Sequence, residues 1–253
     1  MDVWNHELYL TAHYHNCQDE SLKPKRLSSP KSDMLSNLNA DILHIQETHK
    51  KDNLPRKPEM HLVTFHPSAV NGSAIYISDK FMLRGYWDLY SDGIEISEAK
   101  SNLLTVISMY KPPPVPFSWP DQLQQDENAN IIISDFHSLK MLWGYDNNNN
   151  NWDGELVEEW VLDKNLVTLN KSKDKPPFLS AHWQKGYNPD LVFSSSRHHQ
   201  NFHETTCQPI PKSQHYPIIV EMQPIMNPTK LMPRINFRKA NWEGFTIDKG
   251  KSG

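Results

Sequence analysis

Several things are scarce in this sequence, and each scarcity closes a door. There are only 2 cysteines among 253 residues, Cys17 and Cys207, too few for a disulfide framework, so a reducing compartment is expected. No apolar run approaches the roughly 20 residues that a membrane helix needs. The first residues lack a basic stretch followed by an apolar one, so no signal peptide is expected. Glycine is sparse, 9 against 19 prolines, and no internal repeat is visible. Basic excess is absent too: the net charge is -4 and the pI about 6.3. A nucleic-acid enzyme usually gains affinity from a basic face. The acidic balance does not exclude one, because a divalent metal supplies local positive charge and needs an acidic centre.

What is present reads as one α/β domain. Hydrophobic residues make up 37% and charged residues 22%, and the length suffices for a real core. The prolines punctuate short apolar runs, which predicts many strands joined by loops. Candidate strands are Asp41–Gln46, Leu62–Phe65, Ser73–Ile77, Leu103–Met109, Asn130–Ser134, Asp190–Phe193 and Ile218–Glu221. Several are continuously apolar, as in strands buried on both faces. Lys31–Asn39 reads as a helix. Gly154–Asn165 reads as another, with Leu156, Val157, Trp160 and Val161 at helical spacing and Asp153 as N-cap. Leu8–Tyr14 can be drawn as a strand, whereas Cys17–Pro30 shows no period. Residues 1–30 are therefore set apart as a degenerate or poorly ordered segment, 31–223 as the domain and 224–253 as a linker or tail. Asn147–Asn151 reads as a loop tip.

Four polar groups fall at strand ends: Glu47 after Asp41-Ile-Leu-His-Ile-Gln, Asp135 and His137 after Ile131-Ile-Ile-Ser, Asp190 after Asn188-Pro, and Gln214-His215 before a strand. Strand ends are rigid and can converge carboxylates from distant sequence. Magnesium takes oxygen ligands, usually one or two carboxylates with water and phosphate. A histidine beside an acid can orient and deprotonate a water. Each residue alone is weak evidence: a carboxylate after a strand is more often an exposed loop residue, and Asp190 after Asn-Pro is a respectable turn residue.

Together these residues resemble the endonuclease/exonuclease/phosphatase superfamily. The resemblance runs through segments 40–49, 71–78, 106–114, 131–137, 188–195 and 213–220, and covers roughly Lys31 to Met222. Leu142-Trp-Gly-Tyr145, Asp153-Gly154 with Glu158-Glu-Trp160, and Trp183–Leu191 resemble jockey-like non-LTR retrotransposon nucleases. Ile235–Phe245 resembles the connector toward a reverse transcriptase, so the chain reads as part of a longer element protein. The resemblance implies a DNase I-like four-layer α/β sandwich, two packed mixed sheets flanked by helices. It implies Mg²⁺, or Mn²⁺, and a double-stranded DNA substrate nicked to leave a 3′-hydroxyl. It also implies an intracellular, nuclear setting and no membrane partner. Glu47 and Gln214 would hold the metal. Tyr110 would contact the phosphate, Asp135 would position or deprotonate the water, and Asp190 would orient His215.

The departures are specific. The family's Gly-Asp-Phe-Asn is Ser134-Asp135-Phe136-His137 here, so His137 replaces an amide donor. Gln214 stands where Asp is usual and supplies an oxygen without charge. The first-strand Asn is missing, with Lys23 or Asn16 near its position. Losing one such oriented donor costs ~100 to 1,000-fold in rate. Two readings stay open: a weakened nuclease, or a remnant that keeps the fold without catalysis.

Overall fold

The computed structural model describes residues 6–13, 40–48, 52, 54, 56–68, 71–119, 129–145, 151–171, 174–208 and 214–223. The predicted helix Lys31–Asn39, the tail 224–253, Lys23, Asn16 and 147–150 of the loop tip lie outside these residues.

Two mixed sheets carry the fold. The first contains β1 (His6–His13), β2 (Ile42–Gln46), β3 (Met60–His66), β4 (Ser73–Ser78), β13 (Phe202–Thr206) and β14 (Ile218–Met222), in the order β13-β14-β1-β2-β4-β3. The second contains β5 (Leu83–Ser91), β6 (Ile94–Ser101), β7 (Leu104–Tyr110), β8 (Ala129–Asp135), β9 (Leu166–Thr168) and β12 (Asp190–Ser195), in the order β5-β6-β7-β8-β12-β9. β10 (Phe178–Leu179) and β11 (Gly186–Tyr187) form a separate hairpin. β1 runs parallel to β2 and β7 parallel to β8; the other pairings are antiparallel. β1 sits inside the first sheet, between β2 and β14, so the sheet takes in chain from before residue 31.

The alternation of side chains explains how the sheets stack. Ile42, Ile75 and Ile77 of the first sheet share a core with Val106, Ile131, Ile133 and Val192 of the second. The intervening residues Ile107, Ile132, Leu191 and Phe193 point to the opposite face of the second sheet. There they meet helix α1 (Trp152–Asp163), which buries Val157, Trp160 and Val161. Each large apolar side chain buried this way contributes roughly 1.5–3 kcal/mol. Leu43, Ile45 and Tyr76 form a further apolar group on the outer face of the first sheet. The seven expected strands are present with ends shifted by one or two residues, because backbone pairing continues past the apolar run.

The cap of α1 differs from expectation. Asn151, not Asp153, is the N-cap: its Oδ1 accepts from Gly154 N–H at 2.8 Å and Leu139 N–H at 2.9 Å. Asp153 lies in the first helical turn and is committed elsewhere. It takes the Nζ of fully buried Lys111 at 3.0 Å, and its other oxygen accepts from Phe117 N–H at 2.9 Å. This buried pair pins the segment after β7 to the start of α1. Gly154 permits the approach, since a Cβ there would come within 2.2 Å of the Leu139 carbonyl oxygen.

Candidate active site

The strand register builds a row of polar residues across one end of the second sheet. Glu95 on β6 pairs with Tyr110 on β7, Tyr110 with Asp135 on β8, and Asp135 with Asp190 on β12. Direct cross-strand partners share a face. Alternation puts this row on the face turned toward the first sheet, in step with Ala99, Val106, Ile133 and Val192. All four are buried: Glu95 is 4% exposed, Tyr110 2%, Asp135 0% and Asp190 1%.

The first sheet brings Glu47 to this row. Gln46 ends β2, and its Nε2 donates to the Met109 carbonyl of β7 at 2.6 Å. His44 makes a second tie between the sheets, to the Ser108 hydroxyl. Gln46 is thus a structural residue that sets the next residue against Tyr110. Glu47 itself turns at φ +50°, a left-handed conformation that costs a non-glycine residue roughly 1–3 kcal/mol and persists only where its surroundings hold it. The turn leads its carboxylate to Tyr110, whose hydroxyl donates to Glu47 Oε1 at 3.2 Å. The same hydroxyl lies 3.5 Å from Asn71 Oδ1. Gly72, at φ +104°, allows the chain to pass here: a Cβ would meet the His66 carbonyl oxygen at 2.9 Å.

Two acid–histidine pairs complete the site. His215, 4% exposed, lies with Nδ1 2.8 Å from Asp190 Oδ2. Its ring packs edge-on against Phe178 of the hairpin at 4.7 Å. His137 lies with Nε2 3.0 Å from Asp135 Oδ2, an ion-pair contact. Its backbone N–H donates to Asp135 Oδ1 at 3.2 Å, and it too sits at positive φ, +44°. Ligand atoms of Glu47, Asp135 and His137 all lie within 4.8 Å of one another, and so do those of Asp135, Asp190 and His215. Asp135 is common to both groups.

The electrostatics follow from this crowding. Burial opposes charge on His137, but Asp135, and then Asp190 and Glu47, carry its pKa above the ordinary imidazole value. Burial raises the Tyr110 pKa, and Glu47 and Asp135 raise it further, so the phenol stays protonated and serves as a donor. Burial also raises the Glu95 pKa, against His66, Ser73 and Gly72, which lower it.

Of the residues expected from sequence, Glu47, Tyr110, Asp135, His137, Asp190 and His215 are thus brought together. Gln214 is the correction. It is exposed, and its Oε1 accepts from Ala181 N–H at 2.9 Å, so the oxygen expected on a metal is committed to the loop of the β10–β11 hairpin. Its backbone carbonyl accepts from Leu179 N–H, which seats His215 beside Phe178.

No protein-family model matches the sequence, and no curated protein does. Solved structures match the fold. The endonuclease domain of TRAS1, a telomere-specific non-LTR retrotransposon, superposes with a TM-score of 0.58 at 11% identity, over 87% of this chain and 100% of that one. The AP endonuclease LMAP from Leishmania major gives 0.60 at 11% identity, over 87% and 88%. An AP endonuclease from Archaeoglobus fulgidus gives 0.58 at 14%, over 75% and 91%. This chain shares the DNase I-like fold of these endonucleases. At such identities the likeness speaks for the fold alone.

Within that fold, sequence reasoning missed two residues of the site, Glu95 and the partner role of Asn71. Both had a signal. Ser91-Asp92-Gly93-Ile94 is a two-residue hairpin, with Ser91 paired to Ile94 and positive φ at Asp92 and Gly93. Asp-Gly between alternating residues is among the strongest hairpin signals. Recognising it places Glu95 at the start of an inner strand. Beside the site, His137, Tyr145, Phe178, Trp183 and Tyr187 line a cleft of about 500 Å³. Tyr145 and Tyr187 stack there at 5.8 Å, and Trp183 is 70% exposed.

Proposed function

We propose that the chain is the endonuclease domain of a non-LTR retrotransposon protein, a metal-dependent phosphodiester hydrolase that nicks double-stranded DNA. The nick leaves a 3′-hydroxyl that primes reverse transcription by a polymerase domain of the full-length protein. The observation that carries this reading is the convergence of Glu47, Tyr110, Asp135, Asp190 and His215 from both sheets at one polar end of the core.

The donor set suits a divalent cation. Glu47 and Asp135 offer carboxylate oxygens within 4.8 Å of one another, which fits Mg²⁺ or Mn²⁺. A bound ion would stabilise charge building on the phosphate and the leaving oxygen. The other tasks fall to the side chains. Tyr110 keeps its proton and offers it to a phosphate oxygen. Asp135 accepts from the attacking water. Asp190 holds the Nδ1 side of His215, and the oriented imidazole meets the phosphate or shares the proton. The exposed Trp183 and the stacked tyrosines offer aromatic faces to nucleic acid beside the cut.

A second reading, a remnant without catalysis, is favoured by Gln214, whose oxygen is committed to Ala181, and by His137 in place of an amide. Supercoiled plasmid with Mg²⁺ or Mn²⁺, with and without EDTA, separates the two. The proposal expects EDTA-sensitive open circles whose nicks a DNA polymerase extends without prior end repair. A folded chain that leaves the plasmid supercoiled in both metals establishes the remnant instead.

A further inference from the structure

His137 changes the chemistry of the site, and its geometry says how. An asparagine at this position would bring an amide. Histidine brings a ring nitrogen, and this nitrogen sits 3.0 Å from Asp135 Oδ2. The two atoms face each other as an ion pair, and neither makes a hydrogen bond to any other group. Asp135 is 0% exposed, so a carboxylate oxygen whose one facing group is an imidazole nitrogen has room in its coordination for a cation. The separation suits a shared ion: two adjacent ligands at ~2.1 Å from a metal, roughly 90° apart, lie about 3 Å from each other. Glu47 supplies a third ligand atom within 4.8 Å of both. The side chain of His137 is 26% exposed as a whole, so a turn of its ring opens the covered pair to an incoming ion.

We propose that Glu47, Asp135 and His137 form a mixed nitrogen–oxygen site that selects a borderline transition-metal ion, such as Mn²⁺, Co²⁺ or Zn²⁺, over Mg²⁺. Imidazole suits these ions, whereas magnesium takes oxygen and dehydrates reluctantly. The left-handed backbone at His137 (φ +44°) and the N–H it gives to Asp135 Oδ1 hold the two residues together on one turn, while the ring keeps the freedom to settle on an ion. The placement of the ion at Glu47 rests on the hydrolase reading. The readout below is binding, not nicking, so the two can fail separately.

The metal-free chain is titrated with CoCl₂ and followed by visible d–d absorption, and Mg²⁺ is then added in competition. Wild type should bind Co²⁺ at least ~100-fold more tightly than Mg²⁺. His137→Asn should weaken Co²⁺ by about tenfold or more and leave Mg²⁺ within about threefold. Glu47→Gln should weaken both. Far-ultraviolet circular dichroism checks the fold of each variant, and asparagine tolerates the left-handed backbone. The difference between wild type and His137→Asn isolates this site from the other histidines. Equal Co²⁺ affinity in the two proteins overturns the proposal, whether or not either nicks DNA. Loss of Co²⁺ in His137→Asn from a chain that never nicks keeps the site and removes the hydrolase.

Discussion

The two acid–histidine pairs are built in different ways. Asp190 and His215 are 25 residues apart in sequence and are joined by a buried hydrogen bond. Phe178 packs on the imidazole, and the Leu179–Gln214 backbone bond fixes its segment. Asp135 and His137 are near neighbours on one turn at the end of β8, and their side chains meet as an ion pair in which His137 is partly exposed. The first pair is complete before any ligand arrives. The second has its donor atoms gathered on each other and on no further group, which suits a position that a ligand finishes. Pre-organisation therefore lies in the Asp190–His215 pair, and adaptability in the pair beside Glu47.

Breaking the first pair should do the most damage. Asp190→Ala is expected to lower the nicking rate by ~100 to 10,000-fold, the range for losing positioned acid–base chemistry, read from single-turnover plasmid cleavage. The variant also strands a buried histidine, so urea unfolding should show a loss of about 3 kcal/mol. Changing the second pair should act in the opposite direction on rate. His137→Asn restores the amide of the resembling family, and Mg²⁺-supported nicking should rise by about tenfold or more. Stability sharpens the contrast: His137→Ala should cost only about 1 kcal/mol in urea, since its side chain is partly exposed.

The smallest effect supplies the background against which any pH dependence of these pairs is read. Glu204, on β13, has its pKa pushed up to about 7, first by burial and then by Asp174, against the lowering effect of Thr206 and Lys171. Between the ordinary carboxylate value of 4.5 and about 7, the folded chain keeps a proton that the unfolded chain has lost. Stability therefore falls as pH rises through that window. Glu204→Gln should flatten the slope and leave the protein slightly more stable above pH 7, by less than about 1 kcal/mol because the group is partly exposed. Thermal unfolding from pH 4 to 8 checks it.

The contrast between the pairs was only half legible in the sequence. Glu47, Asp135 and Asp190 stand at the ends of apolar runs such as Ile131–Ile133, where burial dictates strand and strand dictates direction. That much can be read from a single chain. β5 and β6 escaped because their runs are short of continuous apolar residues: β5 alternates exposed and half-buried positions, and β6 carries Glu95, Ser97 and Glu98 in buried places. Burial of such groups is decided by partners across the sheet, which a local pattern does not contain. Asp153 and Asn151 make the same point at α1, since both are good cap residues and only the position of buried Lys111 assigns them. Gln214 was placed on the metal by motif position, yet the direction of its side chain is set by the Ala181 amide.

The most direct test of the central claim is the nicking of supercoiled plasmid by wild type and by Glu47→Ala, each with a divalent metal and with EDTA. The account predicts metal-dependent nicking by wild type and a loss of at least ~100-fold in Glu47→Ala. Nicking that survives EDTA, or that proceeds equally fast without Glu47, would contradict it.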